Sequence, residues 1–111
     1  MPSFTVENYI KAIYRLSKTS EGGVNTNSIA ETLGTKAATV SDMLRKLNEN
    51  GYVNYKKYQG TNLTTKGKDV AIQIIRKHRI WEVFLVDKLE FKWDEVHDLA
   101  EELEHIGSSE I

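Results

Sequence analysis

The sequence contains no cysteine, and that single absence removes a disulfide framework, thiolate-zinc sites and a cysteine nucleophile together. Any metal bound here is held by nitrogen and oxygen. Also missing is a run of about 18 apolar residues that could cross a bilayer, or a basic-then-apolar leader. A cytoplasmic protein with no membrane partner is the expectation. No phosphate-cradling glycine loop, HExxH arrangement or nucleophile beside a base is present, so neither an enzyme nor a small-molecule substrate is expected. Internal repeats and low-complexity tracts are absent too. At 111 residues the chain amounts to one compact unit with something appended.

The formal net charge of -1 conceals a segregation. Between Thr35 and Lys68 seven lysines and arginines face only Asp42 and Glu49, whereas from Arg79 onward Arg79, Lys88 and Lys92 are outnumbered by ten acids, Glu82 to Glu110. A basic middle suits a polyanion and an acidic end suits cations.

Apolar spacing predicts a helix over TVENYIKAIYRLSK, with Thr5 as N-cap and the EGG at Glu21 to Gly23 as its stop. TNSIAETLG reads as a short helix capped by Thr26 or Asn27 and closed by Gly34, and ATVSDMLRKLNENG as a third, burying Val40, Met43, Leu44 and Leu47. YVNYKKYQGTNLTT carries β-formers on either side of a Gln-Gly-Thr turn and predicts a hairpin. From Thr65 a long helix follows that buries Val70, Ile74, Ile75, Trp81, Phe84 and Leu85, with a break expected near His78. FKWDEVHDLAEELEHI supplies the last helix, turning Val96, Ala100 and Leu103 inward with Trp93 as an alternative to Val96. The fold class is mainly α with a small β-hairpin.

Two short helices joined through a glycine form the helix-turn-helix pattern, although bundles that bind nothing contain it as well. Lys36, Ala38, Thr39, Ser41 and Asp42 open the second helix on the side opposite its apolar residues, a face suited to a DNA major groove. Lys36, Arg45, Lys46 and the hairpin-tip residues Lys56, Lys57 and Tyr58 are candidates for the phosphates. Singly, each lysine reads equally well as a solubilising charge.

HDLAEELEHI raises a different chemistry. On a helix, His97, Glu101, Glu104 and His105 project from one side, a possible ligand set, although an ordinary acidic helix with solvated charges would look the same. His78 and Glu82 stand one turn apart on the preceding helix.

Taken in order, ENYIKAIYRL, SIAETLG, ATVSDMLRKLNENGYV, YKKYQGTNLTTKGK, IIRKHRIWEVFLVDKL and WDEVHDLAEELEHI resemble the diphtheria-toxin-repressor family of metal-dependent transcriptional regulators, which includes the manganese transport regulators. The resemblance implies a winged helix-turn-helix DNA-binding domain, residues 1–70, followed by metal-binding and dimerisation helices, residues 71–111. It implies a homodimeric repressor that, loaded with Mn(II) or Fe(II), occupies palindromic operators in double-stranded DNA and controls metal-uptake genes. By the same resemblance His78, Glu101, Glu104 and His105 match the core metal site, Glu82 and His97 the ancillary one, and Asn8 the place where the first helix donates a ligand. Glu101 stands where iron-responsive members carry cysteine, so Mn(II) is favoured over Fe(II), with Zn, Co and Ni as substitutes.

Two departures accompany the resemblance. Asn8 replaces the usual Asp or Met, and Lys11 replaces a Glu of the manganese branch; a protonated lysine cannot ligate and would repel a cation. One ion rather than two is the consequence, and a winged-helix DNA binder with no functional metal site is the alternative. The chain also ends at GSSEI, where relatives continue, so a shortened dimerisation region is expected; Trp81, Phe84, Leu85, Leu89, Phe91 and Trp93 nonetheless exceed what the winged domain needs, and some are expected to face a second subunit. Glu104→Ala is expected to abolish metal response and leave the fold intact.

Overall fold

The computed structural model describes residues 3–89 and 93–106. Its first helix, α1, spans Phe4–Ser17, and the Ser3 hydroxyl caps it by accepting from the Val6 N–H at 3.2 Å. The cap thus lies two residues before Thr5, which is already helical. Tyr9, Ile10 and Ile13 enter the core, as the spacing requires, but Glu7 and Lys11 are buried beside them. Buried charges of this kind demand partners.

The second helix, α2, is Thr26–Leu33, capped by Asn25 through the Ser28 N–H at 2.7 Å, again a residue earlier than expected, and ended by Gly34 in the left-handed conformation. The third, α3, is Ala37–Glu49 and buries Val40, Leu44 and Leu47, with Met43 half-buried. Together with Tyr9, Ile10, Ile13 and Ile29 these residues form one continuous apolar cluster.

Strands β1, Val53–Asn54, and β2, Asn62–Leu63, pair antiparallel with Val53 opposite Leu63. An additional bridge joins Val24 to Thr61, each N–H donating to the other carbonyl at 2.9 Å, so the α1–α2 connection serves as a third rib of the wing. The hairpin reading did not include this bridge. It requires Gly23 and Gly60 to cross at close range: a Cβ on Gly60 would stand 2.6 Å from the Gly22 carbonyl oxygen.

The long helix α4, Thr65–Leu89, runs without interruption through His78, where a break was expected. It packs against α1 near its start and against the last helix, α5, Trp93–Leu103, along its second half. Ala71, Ile74, His78 and Leu85 face inward, and α5 returns Val96 and Ala100. Val70, Ile75, Trp81 and Leu103 are only half-buried, and Phe84, expected in the core, is exposed. Ile80, Val83 and Phe84 make a solvent-facing apolar row, one turn in length, with Trp81 edge-on to Phe84 at 5.7 Å between ring centroids. The chain continues past α5 into a turn at residues 104–106, where the Glu104 N–H still donates to Ala100 as in a helix. Leu89 and Trp93 side chains, the residues 90–92 and the final GSSEI lie outside what is described. Among the described residues no helix is long and apolar enough to cross a membrane.

Candidate metal centre and nucleic-acid surface

The uninterrupted course of α4 places His78 opposite the C-terminal end of α5. The two rings nitrogens of His78 both meet carboxylates: Nδ1 lies 2.6 Å from Glu104 Oε1 and Nε2 lies 3.3 Å from Glu82 Oε2. His97 sits across from it, ring centroids 4.9 Å apart, with Nδ1 3.6 Å from the same Glu82 oxygen and Nε2 3.4 Å from Glu101 Oε1. Two sets of donors converge in consequence, His78 with Glu82 and His97, and His78 with Glu101 and Glu104; within each set one donor atom per residue lies within 4.8 Å of the others. His78 belongs to both. An imidazole that ligates through one nitrogen can donate from the other to a carboxylate, which is how metal-bound histidines are normally oriented.

His105 is placed differently from its companions. Its Nδ1 contacts Glu7 Oε1 at 2.5 Å, its Nε2 lies 3.4 Å from Glu104 Oε2, and Phe4 packs edge-on against its ring. Asn8 lies half-buried in the wall of a cavity shared with Lys11 and Glu101, on the α1 side of the cluster. Imidazole and carboxylate donors of this kind fit divalent Mn and Fe, and they accept Zn, Co and Ni as well.

Sequence reasoning missed Glu7 and the ion pairs of Lys11. Glu7 is the partner of His105, and Lys11 reaches Glu104 Oε2 at 2.7 Å and Glu101 Oε2 at 3.4 Å. The ammonium of Lys11, read from the sequence as a charge that cannot ligate and would repel a cation, lies among the carboxylates. A signal existed, since Glu7 and Lys11 are one turn apart on the same face of α1 and bracket Ile10, an apolar position. Burial pushes the Glu101 carboxyl up, but the charge and hydrogen bond of Lys11, with the charges of His78 and His97, outweigh it and hold the group below the usual carboxylate range.

Lys36, Ala38, Thr39, Asp42, Arg45 and Lys46 are exposed on α3 and Ser41 is half-buried. Asp42 and Arg45 pair with each other. A groove between α3 and the wing is lined by Ala38, Ser41, Asp42, Arg45, Tyr55 and Lys57. The Tyr55 N–H donates to Asn48 Oδ1 at 3.0 Å and fixes the wing to α3. Lys56 and Lys57 are exposed at the tip, and Tyr58, 94% exposed with φ of 66°, carries the Lys57 ammonium 5.1 Å from its ring. Thr39 is set apart from this groove: it lines a cavity toward α1 with Thr5, Asn8 and Thr35. Asn25, Thr26 and Asn27 at the start of α2 line a cavity with the wing residues Tyr55 and Lys57, whereas the sequence had marked Thr26 and Asn27 only as caps.

This arrangement matches known proteins over the whole chain. The family model for the iron-dependent repressor N-terminal DNA-binding domain covers residues 2–61, and that for the iron-dependent repressor metal-binding and dimerisation domain covers residues 64–111. The chain belongs to the iron-dependent repressor family. That family is the diphtheria-toxin-repressor group of transcriptional regulators, and the winged helix-turn-helix with appended helices is its fold. A helix-turn-helix transcriptional regulator of Methanocaldococcus jannaschii is 37% identical over 98% of this chain and 87% of its own. The regulator MntR of Oceanobacillus iheyensis is 34% identical over 95% of this chain and 70% of its own. A solved manganese-dependent transcriptional repressor, in complex with manganese, superposes with a TM-score of 0.75 at 41% identity, covering 89% of this chain. The chain spans 45% of that protein.

Proposed function

We propose that this family member is a metal-dependent transcriptional repressor, with Mn(II) favoured over Fe(II), that binds palindromic operators of metal-uptake genes as a cytoplasmic homodimer. The observation that carries the reading is His78, whose two ring nitrogens join the carboxylates of two donor sets contributed by α4 and α5. Both relatives' names and the manganese-bound repressor are in keeping with it. His78, Glu101 and Glu104 are the residues we assign to the core site, with His105 and Asn8 at its α1 edge and Glu82 and His97 as ancillary ligands. A bound ion would add positive charge to carboxylates that Lys11 offsets only in part.

The chain's own residues explain why such a charge would be felt at the DNA. Glu7, Asn8 and Lys11 come from α1, which also packs on α2 and β2, while Glu101, Glu104 and His105 come from α5 and its turn. The cluster therefore stands between the DNA-reading unit, which we place at residues 1–70, and the dimerising unit at 71–111. The exposed row of Ile80, Val83 and Phe84 is the surface we assign to the second subunit. Ala38, Thr39, Ser41 and Asp42 face the bases, and Lys36, Arg45, Lys46, Lys56, Lys57 and Tyr58 meet the backbone.

A second reading has one observation in its favour. Lys11 already pairs with Glu104 and Glu101, which would hold the helices together without metal in a winged-helix DNA binder. Titrating Mn(II), Fe(II) and Zn(II) into chelator-treated protein while following fluorescence anisotropy of upstream and random DNA separates the two. Metal is expected to raise operator affinity by about 10- to 100-fold, and operator should raise metal affinity by the same factor. Operator affinity that stays flat from chelated to saturating metal selects the metal-free reading.

Lys57→Ala is expected to weaken operator and random DNA alike and to reduce the slope of log K against log salt by about 0.9, one phosphate contact. An unchanged slope would take the wing tip off the DNA.

A further inference from the structure

Lys11 is the member of the cluster that the metal-dependent reading leaves without a role. It is 6% exposed, comes from α1, and bonds to a fully buried carboxylate at the far end of the chain, Glu104, and to Glu101 one turn before it. A buried ammonium is tolerated only where carboxylates surround it, and a buried carboxylate only where cations do. The two requirements meet here in one contact, at the oxygens on which a cation shared by Glu101 and Glu104 would draw.

Charge counting leads the same way. Glu82, Glu101 and Glu104 stand around His78 and Glu7 beside His105, four carboxylates in all, and Lys11 offsets the charge of one of them. Part of the negative charge on which a second divalent ion would draw is thus already met by the ammonium. A second divalent ion would stand beside the ammonium in a largely buried site, where like charges repel most strongly.

We propose that the Lys11 ammonium is a built-in cation that takes one of the cation positions on the Glu101–Glu104 pair, tying α1 to α5 without metal and limiting the chain to a single ion on the His78 side. The limit on ion number rests on the metal-dependent reading; the tie between helices does not. Metal response in this chain is then a second clamp added to one already closed, so that the chelated protein retains part of the DNA-competent arrangement.

The test uses the full chain and three measurements. In EDTA, Lys11→Met should melt about 5–10 °C below the parent, because Glu104 loses the ammonium bonded to it. Isothermal titration with Mn(II) should count a single ion per parent chain and two per Lys11→Glu chain, in which a carboxylate replaces the ammonium. Electron paramagnetic resonance of the parent saturated with Mn(II) should show an isolated ion, and this measurement stands even where a variant fails to fold. A parent that takes up two ions per chain, or shows an exchange-coupled Mn(II) pair, overturns the proposal, as does a Lys11→Met chain that melts with the parent in EDTA. A parent that binds no Mn(II) removes the metal-dependent reading instead, and the melting comparison still decides the tie.

Discussion

Glu104→Ala is expected to destabilise the chelated protein by about 3–5 kcal/mol and to abolish the metal response of operator binding. Glu104 is fully buried, and its two oxygens serve different elements: Oε1 faces His78 of α4, while Oε2 takes Lys11 of α1 and lies near His105 Nε2. Truncation leaves the buried Lys11 ammonium with Glu101 alone, at the longer 3.4 Å, and removes the Glu104 acceptor of His78, and losing one partner of a buried charge pair is the costly case. The ligand-set reading of the sequence had this substitution sparing the fold; full burial among three basic side chains reverses that expectation. Glu104→Gln keeps the volume and one acceptor and should recover part of the stability but none of the metal response. Urea denaturation in EDTA and Mn(II) titration against operator measure the two effects separately. Wild-type stability in Glu104→Ala would mean that the buried contacts contribute nothing net, and an intact metal response would remove Glu104 from the site.

Glu7→Leu is expected to lower Mn(II) affinity by about 10- to 100-fold. Glu7 belongs to neither convergent donor set; it holds His105 through Nδ1 and so directs Nε2 toward Glu104. Because the carboxylate fixes the ring, an apolar side chain of similar size frees it, and the donor that faces the cluster is no longer held in place. Glu7→Gln retains an acceptor and should lose less. Competition with a chelator of known affinity reads the effect, and the melting temperature in EDTA accounts for any loss of structure. Equal affinity in Glu7→Leu and parent would show that His105 is oriented without Glu7 or stands outside the metal site.

The same contacts account for what α1 does. Its apolar residues place the helix against α2, α4 and the wing, but Glu7 and Lys11 reach the opposite end of the chain. The cluster thus shares residues with the helix that packs on α2 and β2, and in the proposed function a change in the cluster is passed on through it. Coupling of this kind needs two arrangements with different affinity for the ion, which is why the reciprocal titration is the decisive measurement.

Much of this was legible in the amino acids alone, because it is local. Helical spacing of apolar residues specified all five helices within a few residues, and Gly34 marked the end of α2 because a left-handed turn there favours glycine. His97 and Glu101, and His78 and Glu82, are each one turn apart, so each pair shares a helix face wherever that helix goes. Periodicity does not say which faces meet. That α4 passes straight through His78, that Val24 joins the wing at Thr61, that Thr39 turns toward α1 while Ser41 turns toward the wing, and that Phe84 stays in solvent were decided by packing. Lys11 is the clearest case: on α1 alone it reads as a charge to be kept in water, and only a carboxylate 93 positions away makes its burial affordable. A charge can enter a core solely where the tertiary structure delivers the opposite one.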